Sequence, residues 1–338
     1  MKEIMDKLYQ MQNLEEAEME AAAEELFAGR MEEIQLSAFL IAEKLKGETA
    51  DELAGFAKIM QANAVKIPAI SGHVMDNCGT GGDGMQSFNI STTSAFVLAA
   101  GGVKVAKHGN RSISSRSGSA DIFELLGIPL AATPEEIADL LNQCGIAFLF
   151  APHMHPKMKY AMGVRNALKT PTLFNLIGPL TNPVSLTHQL MGTYRRDLLT
   201  TTAETLGKLG RKRAVVVNGH GQMDEANLAG ATHLAIFENG TVTEKVLQPE
   251  ELGFKRYSID AIRGGTPADN CEILLDVLKN AATPQTETIK LNAGIGFYAG
   301  GAVDTVARGI TLAEEILASG AAYDKLRELQ RMTQEVAS

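Results

Sequence analysis

Tryptophan is absent from the 338 residues, and all aromatic residues together make up 5%. That supply is too meagre for a platform on which single-stranded nucleic acid would stack. Positive charge is short as well: 31 Lys and Arg against 40 Asp and Glu leave a formal charge of −9. Such a balance disfavours a general role on nucleic acid or on an anionic membrane. Only three cysteines occur, Cys78, Cys144 and Cys271, far apart and without CxxC spacing. An odd, sparse set reads as free thiols in a reducing compartment. No apolar run approaches the roughly 18–20 residues that cross a bilayer, and the start MKEIMDKLYQMQNLEEAEME is charged rather than an apolar signal core. A soluble cytoplasmic protein is the expectation, with neither nucleic acid nor membrane as a partner. Apolar residues, at 45%, suffice for a sizeable core.

Residues 1–64 contain no proline and little glycine, and Leu36, Phe39, Leu40, Ala42 and Leu45 recur at helical spacing. This predicts a small all-α unit in which Gly47 ends one helix and ETADELAGFAKIM begins the next. From about KIPAISGHVMDNC onward, short apolar runs alternate with helical stretches. VKVAKHG, IAFLFAP and RAVVVNG read as strands, and HLAIFENGTVTEKVL as a hairpin around Asn239-Gly240. The alternation predicts an α/β domain around a mainly parallel sheet, with the working site in the cleft between the two parts.

GTGGDG at 79–84 satisfies the spacing of a dinucleotide-binding turn. That turn requires a firm apolar strand before it and an acid about 20 residues later for the ribose. HVMDNC reads as a poor buried strand, and the 37 residues between Asp83 and Asp121 contain no Asp or Glu. The nicotinamide reading fails; so does a nucleotide-binding P-loop, whose G-x-x-x-x-G-K-[ST] is missing here. The same stretch carries Lys104, Lys107, His108, Arg111 and Arg116, five glycines and ten hydroxyl residues. In an acidic chain this local excess fits phosphate, because glycines let backbone N–H groups approach an anion while Lys and hydroxyls complete its shell. NISTTSAFVLAAGG adds a helix whose first N–H groups would face the same pocket.

Two further clusters stand apart. VVNGHGQMDEANLAG places Asp224 and Glu225 after a glycine-rich turn that follows a strand. Solvated surface is the plain reading of such a pair, but beside a polyphosphate pocket it can hold Mg²⁺, which takes one or two carboxylates plus phosphate oxygens. In MKYAMGVRNALKTPTLFNLIGPLTNP, Arg165 sits on a helix among apolar neighbours. It is either a structural ion-pair partner or a fork for a substrate carboxylate.

GTGGD (79–83), NIST (89–92), KHGNR (107–111), SGSAD (117–121), GVRNAL…FNLIGPLTNP and MDE (223–225) together resemble the motif series of the anthranilate phosphoribosyltransferase family. The likeness runs essentially end to end, including GRMEEIQLSAFLIAEKLKGET and NAGIGFYAGGAVDTVARGITLAEEILASG. It implies a nucleoside phosphorylase/phosphoribosyltransferase-like architecture of class IV. Residues 1–70 plus about 165–185 would form a helical, dimer-forming domain. Residues 71–164 and 186–338 would form the α/β domain that binds phosphoribosyl pyrophosphate. The implied reaction is attack of the anthranilate amine on C1′ of the donor, giving N-(5′-phosphoribosyl)anthranilate and pyrophosphate on the route to tryptophan.

By the same resemblance, Gly79, Gly82, Asp83, Asn89, Ile90, Ser91, Thr92, Lys107 and Ser119 would hold the donor. Ser87 and the loop His108, Gly109, Asn110, Arg111, Ser112, Ile113, Ser114 and Ser115 would add contacts. Gly79, Asn110 and Arg165 would meet anthranilate, and Ser91, Asp224 and Glu225 would bind Mg²⁺, as two ions. A homodimer is implied, and an anthranilate synthase subunit is a further candidate partner. No residue is expected to be an indispensable general base, with His108 in a lesser role, since breaking the C1′–O bond makes the carbon electrophilic without strong base.

Pro171 stands where that family more often has Arg, Asn218 where it often has His, and MGVR replaces the commoner MPVR. Pyrimidine nucleoside phosphorylases share the fold type, and so does a non-enzymatic, nucleic-acid-binding branch. The intact KHGNR and FNLIGPLTNP segments speak against the first, and a pI near 5.4 against the second.

Overall fold

The structure, a computed structural model of the chain, describes residues 1–111 and 117–336. Four helices open it: α1 (Lys2–Tyr9), α2 (Glu16–Phe27), α3 (Glu33–Lys46) and α4 (Ala50–Ala62). Their limits follow from local chemistry. Gly47 stops α3 with a φ of 89°, a conformation that costs glycine nothing. Thr49 starts α4: its hydroxyl accepts the Glu52 N–H, while the Glu52 carboxylate accepts the Thr49 N–H at 2.8 Å. Phe27, Phe39 and Phe56 fill the centre of this unit, with Phe174 edge-on to Phe56 at 5.5 Å between ring centres.

Seven strands follow: β1 (Val74–Asp76), β2 (Lys104–Gly109), β3 (Ile146–Phe150), β4 (His188–Gly192), β5 (Arg213–Asn218), β6 (Thr232–Glu238) and β7 (Thr241–Leu247). They form one sheet in the order β3-β2-β1-β4-β5-β6-β7, parallel from β3 to β5 and antiparallel through β6 and β7. The β6–β7 hairpin turns at Asn239 (φ 51°) and Gly240 (φ 79°), as the Asn-Gly pair predicts. One expectation is overturned. HVMDNC, a poor strand by its residues, contains β1, which lies inside the sheet between β2 and β4 with all three residues buried. Its polar member, Asp76, is satisfied there by four hydrogen bonds.

Strands β1 to β5 are buried on both faces, which explains runs such as AVVV in β5 that do not alternate in polarity, whereas β7 at the sheet edge is mostly exposed. Val215 and Val217 join a core formed with α5 (Ile90–Ala100) and the helices Pro284–Ala299 and Val306–Ser319. Ala214 and Val216 join a second core with the helix Leu199–Lys208, residues 161–180 and the opening helices. The helical unit thereby packs toward one face of the sheet through the helix Leu199–Lys208 and residues 161–180. All three cysteines are free thiols. Among the described residues, no helix is long and apolar enough to cross a membrane.

Candidate active site

The glycine-rich stretch and the Asp224–Glu225 pair meet at the carboxyl ends of the parallel strands, the usual ligand crevice of an open α/β sheet. From the end of β1 the chain turns away through Gly79, which forms an isolated parallel bridge with Gly192, the last residue of β4, and the Thr80 N–H donates to the Gly192 carbonyl at 3.0 Å. Gly81 (φ 65°) and Gly82 (φ 79°) then adopt the left-handed conformation. Gly82 lies beside the Tyr194 ring, and the Gly81 N–H donates to Asp224 Oδ2 at 2.6 Å. Asp83 accepts N–H groups from Met85 at 2.9 Å and Asp224 at 3.3 Å. Ser87 bridges to Arg263 in antiparallel fashion, closing the loop.

Asn89 precedes α5 but does not cap it with its side chain. Instead, its Oδ1 accepts from Asn270 Nδ2 at 2.9 Å and its Nδ2 donates to the Ser117 carbonyl at 3.4 Å. The first helical amides are met by other acceptors instead, the Ile90 N–H donating to the Phe88 carbonyl at 2.7 Å. Ile90 and Thr92 are buried, and the Ser91 N–H donates to Glu225 Oε1 at 3.2 Å. Asp224 and Glu225 therefore straddle the loop, one on the Gly81 amide and the other on the Ser91 amide.

Burial, then the neighbouring charges of Asp83 and Glu225, push the Asp224 carboxyl well above the usual carboxylate range. Burial lifts Glu225 to about 7, against the opposing pull of Lys107 and Ser91. Three carboxyls held this close repel one another, and a divalent cation would relieve that repulsion. The fit to Mg²⁺ is one of partial ligation. Among the described residues no group of three or more His, Cys, Asp or Glu side chains is arranged to enclose a metal, as suits an ion completed by phosphate oxygens and water.

Lys107, near the end of β2, is 2% exposed. Among the described residues it makes no hydrogen bond or contact ion pair, and the more distant charges of Asp76 and Glu225 act on it, which leaves its donors free for an anion entering the recess. His108 follows; burial first, then the charges of His155 and Lys107, lower it to about 3. Its Nε2 is buried without a partner, and its ring packs edge-on to His155 at 5.2 Å between centres. The Asn110 carbonyl accepts from Ala120 N–H at 3.3 Å and from Ser119 Oγ at 3.4 Å, and a Cβ on Gly109 would overlap the Ser119 hydroxyl. Arg111 pairs with Asp121 at 2.8 Å and Glu124 at 2.9 Å. Ser112, Ile113, Ser114 and Ser115 lie outside the described residues.

Arg165, on the helix Lys159–Leu168, stacks over the Phe174 ring at 5.0 Å, and burial lowers its pKa. Among the described residues its guanidinium has no carboxylate partner, so the structural ion pair entertained for it does not form. His155 is the residue that sequence reasoning missed. It is 5% exposed, burial lowers it to about 4, and its Nε2 lacks a partner like that of His108. Its only signal was a histidine just after the strand IAFLF. Asn218, where the motif series often has His, accepts from Arg196 Nε at 2.7 Å and donates to the Thr193 carbonyl at 2.6 Å. Exposed Pro171 follows Lys169, whose φ of 48° ends the helix.

Residues 71–323 match the profile of the glycosyl transferase family a/b domain, and residues 2–64 that of the same family's helical bundle domain. The anthranilate phosphoribosyltransferase of Listeria welshimeri is 56% identical over 336 residues, covering 99% of each chain. The chain belongs to the anthranilate phosphoribosyltransferase family. Membership extends to the fold: the crystal structure of the anthranilate phosphoribosyltransferase from Thermus thermophilus superposes with a TM-score of 0.93 at 38% identity, covering 98% of this chain and 99% of that one. The family fold is shared by the Saccharomyces cerevisiae anthranilate phosphoribosyltransferase solved in complex with PRPP and Mg. That structure has a TM-score of 0.88 at 24% identity and covers 98% of this chain and 97% of that one.

Proposed function

We propose that the recess formed by residues 79–92, Lys107–Asn110 and Asp224–Glu225 binds phosphoribosyl pyrophosphate and transfers its phosphoribosyl group to anthranilate, the reaction of this family in tryptophan biosynthesis. One observation carries the assignment of the site. A glycine-rich turn, the start of α5 and a buried lysine without a contact ion pair converge on the same strand ends, with surplus carboxyls behind them. Amides and ammonium suit the diphosphate. Asp224, Glu225 and the Ser91 hydroxyl would hold Mg²⁺, as two ions, whose contribution when bound is to neutralise charge on the departing diphosphate.

The anthranilate amine forms a bond to C1′ as the C1′–O bond breaks, its electron pair leaves with pyrophosphate, and the nitrogen releases one proton. Lys107 and the loop amides stabilise the leaving group, and in-line placement of the amine supplies the rest of the acceleration. Arg165, held by Phe174 and without a carboxylate partner among the described residues, would receive the anthranilate carboxylate with Gly79 and Asn110. His108, neutral and lowered to about 3, is a weak acceptor for the released proton, which supports a reaction without an indispensable base. His155 shares that polar wall.

Division into a helical domain of residues 1–70 plus about 165–185 and an α/β domain of the remainder accords with the second apolar core, which joins residues 161–180 to the opening helices. Exposed Tyr9, Met11, Ile34, Leu45, Tyr160 and Met162 lie on or beside α1, α3 and the helix Lys159–Leu168, which pack together. A homodimer through this side would cover them. An anthranilate synthase subunit remains a second candidate for the same side. The cytoplasm is the proposed compartment, in keeping with three free thiols. Mg²⁺-dependent loss of anthranilate fluorescence with fresh donor, together with pyrophosphate release, tests the reading.

A further inference from the structure

One buried carboxylate outside the ligand shell ties the phosphate-binding elements together. Asp76, the last residue of β1, is 0% exposed. Its Oδ1 accepts the N–H groups of Asn77 at 2.7 Å and His108 at 3.3 Å; its Oδ2 accepts Asn182 Nδ2 at 3.0 Å and the Cys78 thiol at 3.2 Å. Asn182 Nδ2 also donates to the Ala106 carbonyl at 2.8 Å. These contacts sit where the sheet changes. Pairing of β1 with β2 ends at Met75 and Val105, although β2 continues to Gly109 alongside β3.

Beyond Val105, the edge of β2 that faced β1 has lost its backbone partner, and buried backbone groups without partners are costly. Side chains replace that partner. Asn182 meets the Ala106 carbonyl and Asp76 meets the His108 N–H, so both residues flanking Lys107 are anchored to one carboxylate and its bridging amide. Burial raises the Asp76 carboxyl above the usual carboxylate range, and the Lys107 charge, with the hydrogen bonds from Asn182, Cys78 and His108, opposes that rise.

We infer that Asp76, bridged through Asn182, is a positioning residue for donor binding. It substitutes for the missing strand partner so that the GTGGD loop can peel away from β2 while Lys107 stays fixed at the recess with a countercharge behind it. This rests on the reading of Lys107 as a ligand of the donor diphosphate. A buried aspartate that merely satisfied the core would, on replacement, lower the folded fraction and with it the apparent kcat, without singling out one substrate's KM. Asp76 acts on one substrate.

Turnover by the unaltered protein establishes the reaction and serves as the reference, so failure there counts against the proposed function and not against Asp76. With that reference, Asp76→Asn, Lys107→Met and the double variant are compared. Asp76→Asn is expected to raise the KM for phosphoribosyl pyrophosphate by about tenfold or more, the effect of losing a charge-assisted hydrogen bond, with kcat and the anthranilate KM little changed. The double variant is expected to be no worse than Lys107→Met, because the two residues act as a unit. Equal changes for both substrates, or losses that multiply in the double variant, would overturn the inference. Should Asp76→Asn fail to fold by circular dichroism, Asn182→Ala keeps the carboxylate but removes its Asn182 hydrogen bond together with the tie to the Ala106 carbonyl. A selective rise in the donor KM supports the inference, and an unselective change overturns it.

Discussion

At the scale of single residues, the protein holds several ionisable groups in the protonation state that burial dictates, and pH should expose them. His108 and His155 are lowered to about 3 and about 4, from 6.5. With folded values below the unfolded one, their contribution to stability is present above pH 6.5 and is lost as pH falls toward the folded values. The expected slope is about 1.4 kcal/mol per pH unit for each ring. Denaturant titrations between pH 6.5 and 4 should show it, and His108→Ala should remove one ring's share; an unchanged slope would contradict the burial argument. Glu43 has the opposite sign. Burial, then the charge of Glu52, lifts its carboxyl from 4.5 to about 8, because Lys46 stands at 2.7 Å from Glu52 but 3.6 Å from Glu43. The folded chain retains a proton that the unfolded chain releases, so stability falls as pH rises through this window. Glu43→Gln should therefore be the more stable protein at pH 8, by at least about 1 kcal/mol, and should lose that advantage near pH 4.5. Arg165→Ala, lacking the fork, should raise the anthranilate KM by about tenfold or more and spare the donor KM, as steady-state kinetics would reveal.

At the scale of elements, the recess depends on backbones that approach closely. A Cβ on Gly192 would overlap the Asp224 carbonyl oxygen and crowd the Gly79 backbone, neither of which is a flexible side-chain end. Gly192→Ala should displace the carboxylate loop, costing about 2–4 kcal/mol of stability, read by denaturant titration, along with most of the activity. Such constraints were partly legible in the sequence. The helical unit, the Asn239-Gly240 hairpin and the parallel strands VKVAKHG, IAFLFAP and RAVVVNG followed from periodicity and turn chemistry. The phosphate loop was legible because an acid-free, glycine-rich stretch is chemically unusual in an acidic chain. β1 was not, because a three-residue strand ending in aspartate has no apolar pattern; its carboxylate is satisfied by donors from distant Asn182 and His108 as well as from nearby Asn77 and Cys78. Nor was His155, whose significance lies in its ring contact with His108, made only once β2 and β3 pair.

At the scale of the whole molecule, the sheet brings the ends of β1, β2, β4 and β5 to one rim, and the opening helices stand over one of its faces. The exposed apolar side chains of α1, α3 and the helix Lys159–Leu168 are expected to be covered in solution by a second copy. Light scattering should give twice the 36.1 kDa chain mass, and Ile34→Glu, at an 82% exposed position, should shift the protein toward monomer without unfolding it. A chain mass unaffected by that substitution would place the interface elsewhere. The most direct test of the account as a whole is anthranilate fluorescence followed in the presence of phosphoribosyl pyrophosphate and Mg²⁺. The account predicts a steady loss that stops when the metal is chelated and is abolished by Asp224→Asn with Glu225→Gln. Undiminished fluorescence with the unaltered protein and fresh donor, or equal rates in the doubly substituted protein, would contradict it.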